Sequence, residues 1–176
     1  MRLGAFSRPT QHLPAPSPQE TLAWMAKFIR DGQQDQRVRE LAERLVAGIF
    51  SHDYLSEYAA VLNWVRANIK YRRDPRTIEQ VKTPQIVLQT QNGDCDDMAV
   101  LIGTLVGSLG AQVRLVAGAM RGAPIVPRTG KPMLSHVWVE AFDPKSDCWV
   151  VLDPVPGRKV NEMLGRLAHV VVLPVL

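Results

Sequence analysis

From Met98 to Val113 the chain runs for 16 residues without a charge. A helix of that composition has no polar face to offer water, so the rest of the fold has to enclose it. The run is shorter than the ~20 residues a membrane-spanning helix needs, and it carries Gly103, Gly107 and Gly110. It therefore reads as a buried core helix, with Gly103 and Gly107 at close-packing positions and Gly110 at the C-cap. Such a helix needs a domain around it. The 176 residues, 46% apolar and 22% charged, are enough for one domain with its own core and exclude a wholly disordered chain. Two cysteines do not make a disulfide framework. Met1 to Pro18 lacks the apolar run of a signal peptide. Synthesis in the cytoplasm is expected, with both thiols free and no membrane span. A net charge of +4 and 6% aromatic residues make no case for specific nucleic-acid binding.

The segments on either side of that run set the fold class. Residues 1–17 hold Pro9, Pro14 and Pro16 and read as an extended arm. Ser17-Pro18-Gln19-Glu20 is a capping box with proline at the first helical position. The helix it opens carries Leu22, Met25, Phe28 and Ile29 on one side as far as Gly32. A second helix shows Val38, Leu41, Ala42, Leu45, Val46 and Ile49 at helical spacing, and together the two form a helical extension over 18–52. A third, from Asp53 to Ile69, opens the main domain, 53–176. Lys70 to Thr83 is polar and reads as a loop or short turns. Beyond Gly110 the period turns extended. Strands are expected at Val113–Ala119, Ser135–Phe142, Cys148–Leu152 and Val170–Leu173, with a loop over Arg121–Leu134. Helices first and a β-meander after is an α+β order with an antiparallel sheet.

Chemistry concentrates at the start of the buried helix. Asn92-Gly93 is a tight turn, Asp94 is placed as the N-cap, and Asp94 and Asp97 are spaced like a capping pair. Cys95 then projects from the first turn, where free N–H groups and the helix dipole lower a thiol pKa. Asp94, Asp96 and Asp97 push the other way, with Asp96 free to point to solvent. Of the four histidines, only His136 lies in a strand beside turn-rich loops. If the Asp143-Pro144-Lys145-Ser146 turn is centred between Pro144 and Lys145, His136 faces Asp153 directly across the hairpin. An aspartate facing a histidine fixes its tautomer and stabilises the imidazolium. Taken singly, Cys95 is equally a small buried hydrophobe, His136 a satisfied surface histidine, and Asp153-Pro154 a strand end. No metal is expected, because the carboxylates are consecutive and do not converge, and no Cys-x-x-Cys or His-x-x-x-His spacing exists. Cys148 reads as structural. The clusters Arg72, Arg73, Arg76 and Arg158, Lys159 read as solvated faces.

Asn92-Gly93-Asp94-Cys95-Asp96-Asp97, Ser135-His136-Val137-Trp138-Val139-Glu140 and Trp149-Val150-Val151-Leu152-Asp153-Pro154 together resemble the transglutaminase-like superfamily over about Asp53 to Val155. The form with Gly-Asp-Cys-Asp-Asp resembles small proteins of that kind encoded by tailed bacteriophages and prophages. The resemblance implies a papain-like core, with Cys95 as nucleophile, His136 as base and acid, and Asp153 as the orienting residue. It implies a peptide or protein amide as substrate and no cofactor. No acidic calcium loop is recognisable, so calcium independence is expected. The aromatic that often precedes the catalytic helix in the animal enzymes has no match. That leaves the Cys95 N–H and a side chain of Gln89, Gln91 or Asn92 as oxyanion donors. Two functions stay open. One is acyl transfer through a thioester, with hydrolysis favoured because transfer to an amine needs a second, water-excluding site. The other is a virion or assembly component, associated with other phage structural proteins, in which the fold serves as an interaction module.

Overall fold

The computed structural model describes residues 10–13, 17–74, 79–155 and 166–175. In chain order these form β1 (Thr10–Leu13), α1 (Pro18–Gly32), α2 (Gln36–Val46), α3 (Tyr54–Asn68), β2 (Lys70–Tyr71), β3 (Glu79–Lys82) and α4 (Pro84–Thr90). They continue with β4 (Asn92–Gly93), α5 (Cys95–Ser108), β5 (Val113–Met120), β6 (Ile125–Val126), β7 (Lys131–Pro132), β8 (His136–Asp143), β9 (Cys148–Leu152) and β10 (Leu167–Val175).

Helix α5 is the uncharged run, and it is buried on every side: Met98 to Ile102, Thr104 and Leu105 are fully inaccessible. Helices α1, α2, α3 and α4 pack on it, as do strands β5 and β8. Gly110 ends it in the left-handed region at φ +91°, a conformation that costs glycine nothing. The main sheet is four-stranded, antiparallel, in the order β10-β5-β8-β9. This is the α+β architecture that the element order predicts.

Helix α1 starts as its sequence dictates. The Ser17 hydroxyl accepts the Glu20 N–H, and the Glu20 carboxylate returns to the Ser17 N–H at 2.7 Å. Its apolar face, Leu22, Met25, Phe28 and Ile29, joins the same buried cluster as α5 and the sheet.

Several expectations are corrected. The Lys70–Thr83 stretch contains two short strands rather than loop alone: β2 pairs in parallel with β4, and β3 pairs antiparallel with β1. Part of the N-terminal arm is thus a paired strand. The apolar piece at Ile86–Leu88 lies in helix α4, opened by Pro84 at its first position. A small hairpin, β6–β7, occupies part of the expected Arg121–Leu134 loop. The β8–β9 turn is also longer than expected. Asp147 enters the left-handed region at φ 51° and Asp143 pairs with Cys148, so the turn is centred between Lys145 and Ser146. Leu152 then faces Val139, and one further step along this register sets Asp153 opposite Trp138, not His136. Arg76, Arg158 and Lys159 lie outside the described residues.

The glycines of α5 are close-packing positions. A Cβ on Gly103 would come within 2.8 Å of Ile29 Cδ1 and 3.4 Å of Val139 Cγ2, whereas one on Gly107 would meet only the Gln33 side chain. Ile29 is fully buried, so Gly103→Ala overpacks the α1–α5–sheet contact and should cost about 1–3 kcal/mol. Gln33 can swing aside, so Gly107→Ala should be near neutral or gain up to ~1 kcal/mol from helix propensity. Denaturant unfolding of the two variants checks the contrast, and equal effects would contradict the packing.

Candidate active site

The start of α5 is held from three directions. Asp94 is the N-cap, and its carboxylate accepts the N–H groups of Asp96 at 3.1 Å and Asp97 at 3.3 Å. The turn before it is tied into the β2–β4 pair, where Arg72 N–H donates to the Gly93 carbonyl at 2.8 Å. Gly93 is the residue that fits there, since a Cβ would lie 2.5 Å from that of Asp97. Asp97 reciprocates, its fully buried carboxylate taking the Asp94 N–H as the capping spacing predicts. The same carboxylate also accepts the Lys82 backbone N–H at 2.8 Å and forms an ion pair with the Lys82 ammonium.

Cys95 is the first residue of α5. Its sulfur accepts the Val137 N–H and lies 3.5 Å from Asp96 Oδ1. Asp96 is 8% exposed and faces the thiol rather than solvent, which corrects the expectation for that residue. Burial first, then the charges of Asp96 and Asp94, hold the thiol well above the ordinary range, against the help of the Val137 N–H. The lowering expected from the helix terminus is outweighed. The three carboxylates do not all converge: ligand atoms of Asp94, Cys95 and Asp96 lie within 4.8 Å of one another, while Asp97 is turned to Lys82. Asp94 is engaged in capping and Asp96 with the thiol.

His136 and Asp153 are brought together in spite of the shifted turn. His136 Nε2 is 3.0 Å from both carboxylate oxygens of Asp153, and the residues are 6% and 0% exposed. A register change of two residues keeps every side chain on its face. The pair becomes diagonal instead of directly opposed, still within reach for such side chains. Asp153 is fixed at its corner, its Oδ1 taking the Val155 N–H at 2.9 Å and its carbonyl taking Arg66 Nη2 from α3 at 2.7 Å. The His136 ring lies 5.9 Å from that of Trp138. Trp138 in turn donates to Glu140, which Arg114 also holds.

Cys95, His136 and Val137 line one cavity of about 580 Å3, together with residues of α1, the β6–β7 hairpin and β10. Gln89, Gln91 and Asn92 do not line it. Gln89 is exposed, Gln91 ends α4 in the left-handed region, and the Asn92 amide donates to the Thr90 carbonyl. Cys148 is exposed, with Ser146 Oγ at 3.0 Å.

Two further residues belong to the surroundings of the site. Tyr71 pairs with Gly93 across β2–β4. Burial, then the charges of Cys95 and Asp94, push its phenol up, while a hydrogen bond to Arg73 opposes them. An aromatic therefore stands beside the turn that carries Cys95. His169 lines the cavity from β10, next to a register shift between Leu167 and His169. Bulges re-aim side chains in this way, and no sequence pattern announces one.

A family model for the transglutaminase-like superfamily matches residues 39–154, more than half of the chain. No curated protein matches it in sequence. Among solved structures the chain is similar to a candidate protease from Parabacteroides distasonis, with a TM-score of 0.58 and 13% identity over 88% of this chain and 29% of that one. It is similar to a candidate cysteine protease from Cytophaga hutchinsonii, at 0.56 and 17% over 93% and 58%. The periplasmic domain of TgpA from Pseudomonas aeruginosa bound to ethylmercury follows at 0.50 and 22%, over 78% and 51%. At such identities the likeness is one of fold. The chain spans 29% and 58% of the length of the first two structures. Among the described residues no helix is long and apolar enough to cross a membrane.

The raised thiol has a kinetic signature. Iodoacetamide should alkylate the exposed Cys148 before Cys95 at pH 7.5. The Cys95 rate should climb about ten-fold per pH unit through pH 9 without a plateau, because thiolate is the reacting form. Asp96→Asn removes one adjacent charge and should raise that rate about ten-fold, one pKa unit's worth. Peptide mapping of the alkylated protein reads both effects, and an unchanged rate in the variant would count against the assignment.

Proposed function

Because the chain belongs to the transglutaminase-like superfamily, we propose that it catalyses acyl transfer from an amide through Cys95, His136 and Asp153. The observation that carries this reading is the His136–Asp153 pair, buried and doubly bonded at 3.0 Å, one residue away from the N–H that the Cys95 sulfur accepts.

The chemistry follows from the thiol being protonated at rest. His136, with Nε2 held by Asp153, takes the Cys95 proton through Nδ1 as the sulfur attacks the carbonyl carbon. Proton removal and attack are then coupled, and no stable thiolate–imidazolium pair is needed beforehand. The tetrahedral oxyanion is met by the Cys95 N–H, which as the first of its helix has no intrahelical acceptor and serves as an oxyanion donor. The imidazolium, stabilised by Asp153, returns its proton to the leaving amine. The C–N bond breaks and a thioester remains. Water, deprotonated by His136, cleaves it to a carboxylic acid, and an amine in its place makes a new amide. Hydrolysis is the favoured outcome. The substrate is a peptide or protein amide, and no cofactor enters any step.

A second reading has one observation in its favour. Burial and two carboxylates oppose ionisation of Cys95, as suits an idle thiol in a fold used as an interaction module, such as an assembly or virion component.

Acylation by p-nitrophenyl acetate separates the two. The active reading expects a burst of about one equivalent of p-nitrophenolate and an acetyl group on the Cys95 peptide. Cys95→Ala should abolish the burst. His136→Gln should slow it at least ~100-fold, the scale of general acid–base catalysis. Acetyl groups confined to Cys148 and lysines, or a His136→Gln variant as fast as the parent, would favour the module.

A further inference from the structure

The cavity that holds Cys95 has an uneven distribution of charge. Among the described residues its charged lining consists of Asp94, Asp96, Arg128 and Lys131. The two acids are engaged within the protein, Asp94 as the helix cap and Asp96 against the thiol. The two cations belong to the β6–β7 hairpin, Arg128 in its turn and Lys131 at the start of β7. Both are exposed, and among the described residues neither side chain forms a hydrogen bond or ion pair. Glu20 lies close enough to feel Arg128, yet its carboxylate is turned back onto Ser17 at 2.7 and 2.8 Å. Among the described residues the lining thus carries its negative charge at the thiol and its positive charge on the hairpin rim. The other described lining residues are uncharged or polar, with Leu22, Met25 and Val171 among them and His169 as a further polar group.

We propose that Arg128 and Lys131 select the substrate: the site takes amides that carry a carboxylate set back from the scissile bond. The inference rests on Cys95 being the reacting group, and it deepens that reading by assigning a substrate class. Exposed cations steer and orient an anion without being strongly desolvated, so the preference has to weaken as salt screens it. Asp94 and Asp96 beside the sulfur repel an anion placed directly at the thiol. The carboxylate must stand off from the reacting carbon, and the two hairpin side chains are placed to receive it.

The test uses thiol-directed reagents that need no turnover. Iodoacetyl-Gly-Gly and its C-terminal amide differ by one charge. Two glycines put that charge about 7 Å beyond the acetyl group, clear of Asp96. Mass spectrometry follows the labelling of Cys95, with exposed Cys148 as the internal reference. Relative to Cys148, the carboxylate reagent should label Cys95 about three- to ten-fold faster than the amide at low salt, and 0.5 M NaCl should remove most of the difference. Arg128→Glu and Lys131→Glu should each erase or invert the preference. Lys131→Gln, which only neutralises the charge, should reduce it. Arg37→Glu, at the exposed start of α2 and outside both the cavity lining and the Cys148 turn, should leave it unchanged. Equal rates for both reagents in the parent, or a preference that survives both charge reversals, would overturn the assignment. The failures are distinct. Loss of acetylation by p-nitrophenyl acetate with the charge preference intact removes the catalytic reading alone, whereas acetylation without a charge preference removes the rim assignment alone.

Discussion

Helix α5 buries every residue from Asp96 to Val106, so it cannot lie on a surface. Four helices cover one side and the β5–β8 part of the sheet covers the other. The cost of that enclosure falls at the helix start, where the first N–H groups have no partners of their own. Asp94 satisfies two of them. One turn further in, Asp97 would be an uncompensated buried charge without Lys82, and stranding a charge of that kind costs ~3–5 kcal/mol. The position of Cys95 is thus set by two carboxylates whose first task is to let an apolar helix begin inside a protein.

The same arrangement decides the state of the thiol. A helix N-terminus contributes 0.3–1 kcal/mol to a nearby anion, and ~2 kcal/mol in favourable partly buried geometry. That amounts to between a fraction of a pKa unit and about one and a half. Desolvation acts in the opposite direction with a larger reach, and Asp96 and Asp94 add to it at close range. The dipole loses. A thiol in this setting stays protonated, so on the proposed reading it has to be deprotonated as it reacts, which gives the His136–Asp153 pair a larger part than it would have beside a preformed thiolate.

Much of this was legible in the sequence, for reasons of unequal strength. The buried helix, the Ser17 capping box and the strands of the sheet each have a periodic or local chemical signal, and each stands where that signal put it. The approach of His136 to Asp153 was inferred from a turn centred one residue too early. It holds because the pleat has a period of two: the error moved the pairing by two residues and so kept the face. An error of one would have sent Asp153 to the other side of the sheet. Strands β2, β3 and β4 could not be read, since two to four residues carry no usable period. The oxyanion candidates drawn from the same turn, Gln89, Gln91 and Asn92, are spent on ending α4 or left in solvent. Tyr71 and His169 reach the site through a short parallel pairing and a bulge, features set by tertiary packing.

The region matched by the family model, 39–154, contains Cys95, His136 and Asp153, but it does not close the cavity around them. Ser17 to Met25 of the α1 region line it from before that span, and His169 and Val171 of β10 line it from after. Both additions are bound to the shared core. Leu22, Met25 and Ile29 pack into the same cluster as α5, and β10 completes the sheet against β5. The N-terminal arm has a route to the nucleophile as well: β1 pairs with β3, and β3 supplies the Lys82 that holds Asp97 two residues beyond Cys95. The cavity is therefore completed by segments on both sides of that span, while Cys95, His136, Arg128 and Lys131 all lie within it. Two chains that share the span can differ in the walls that α1 and β10 add to it.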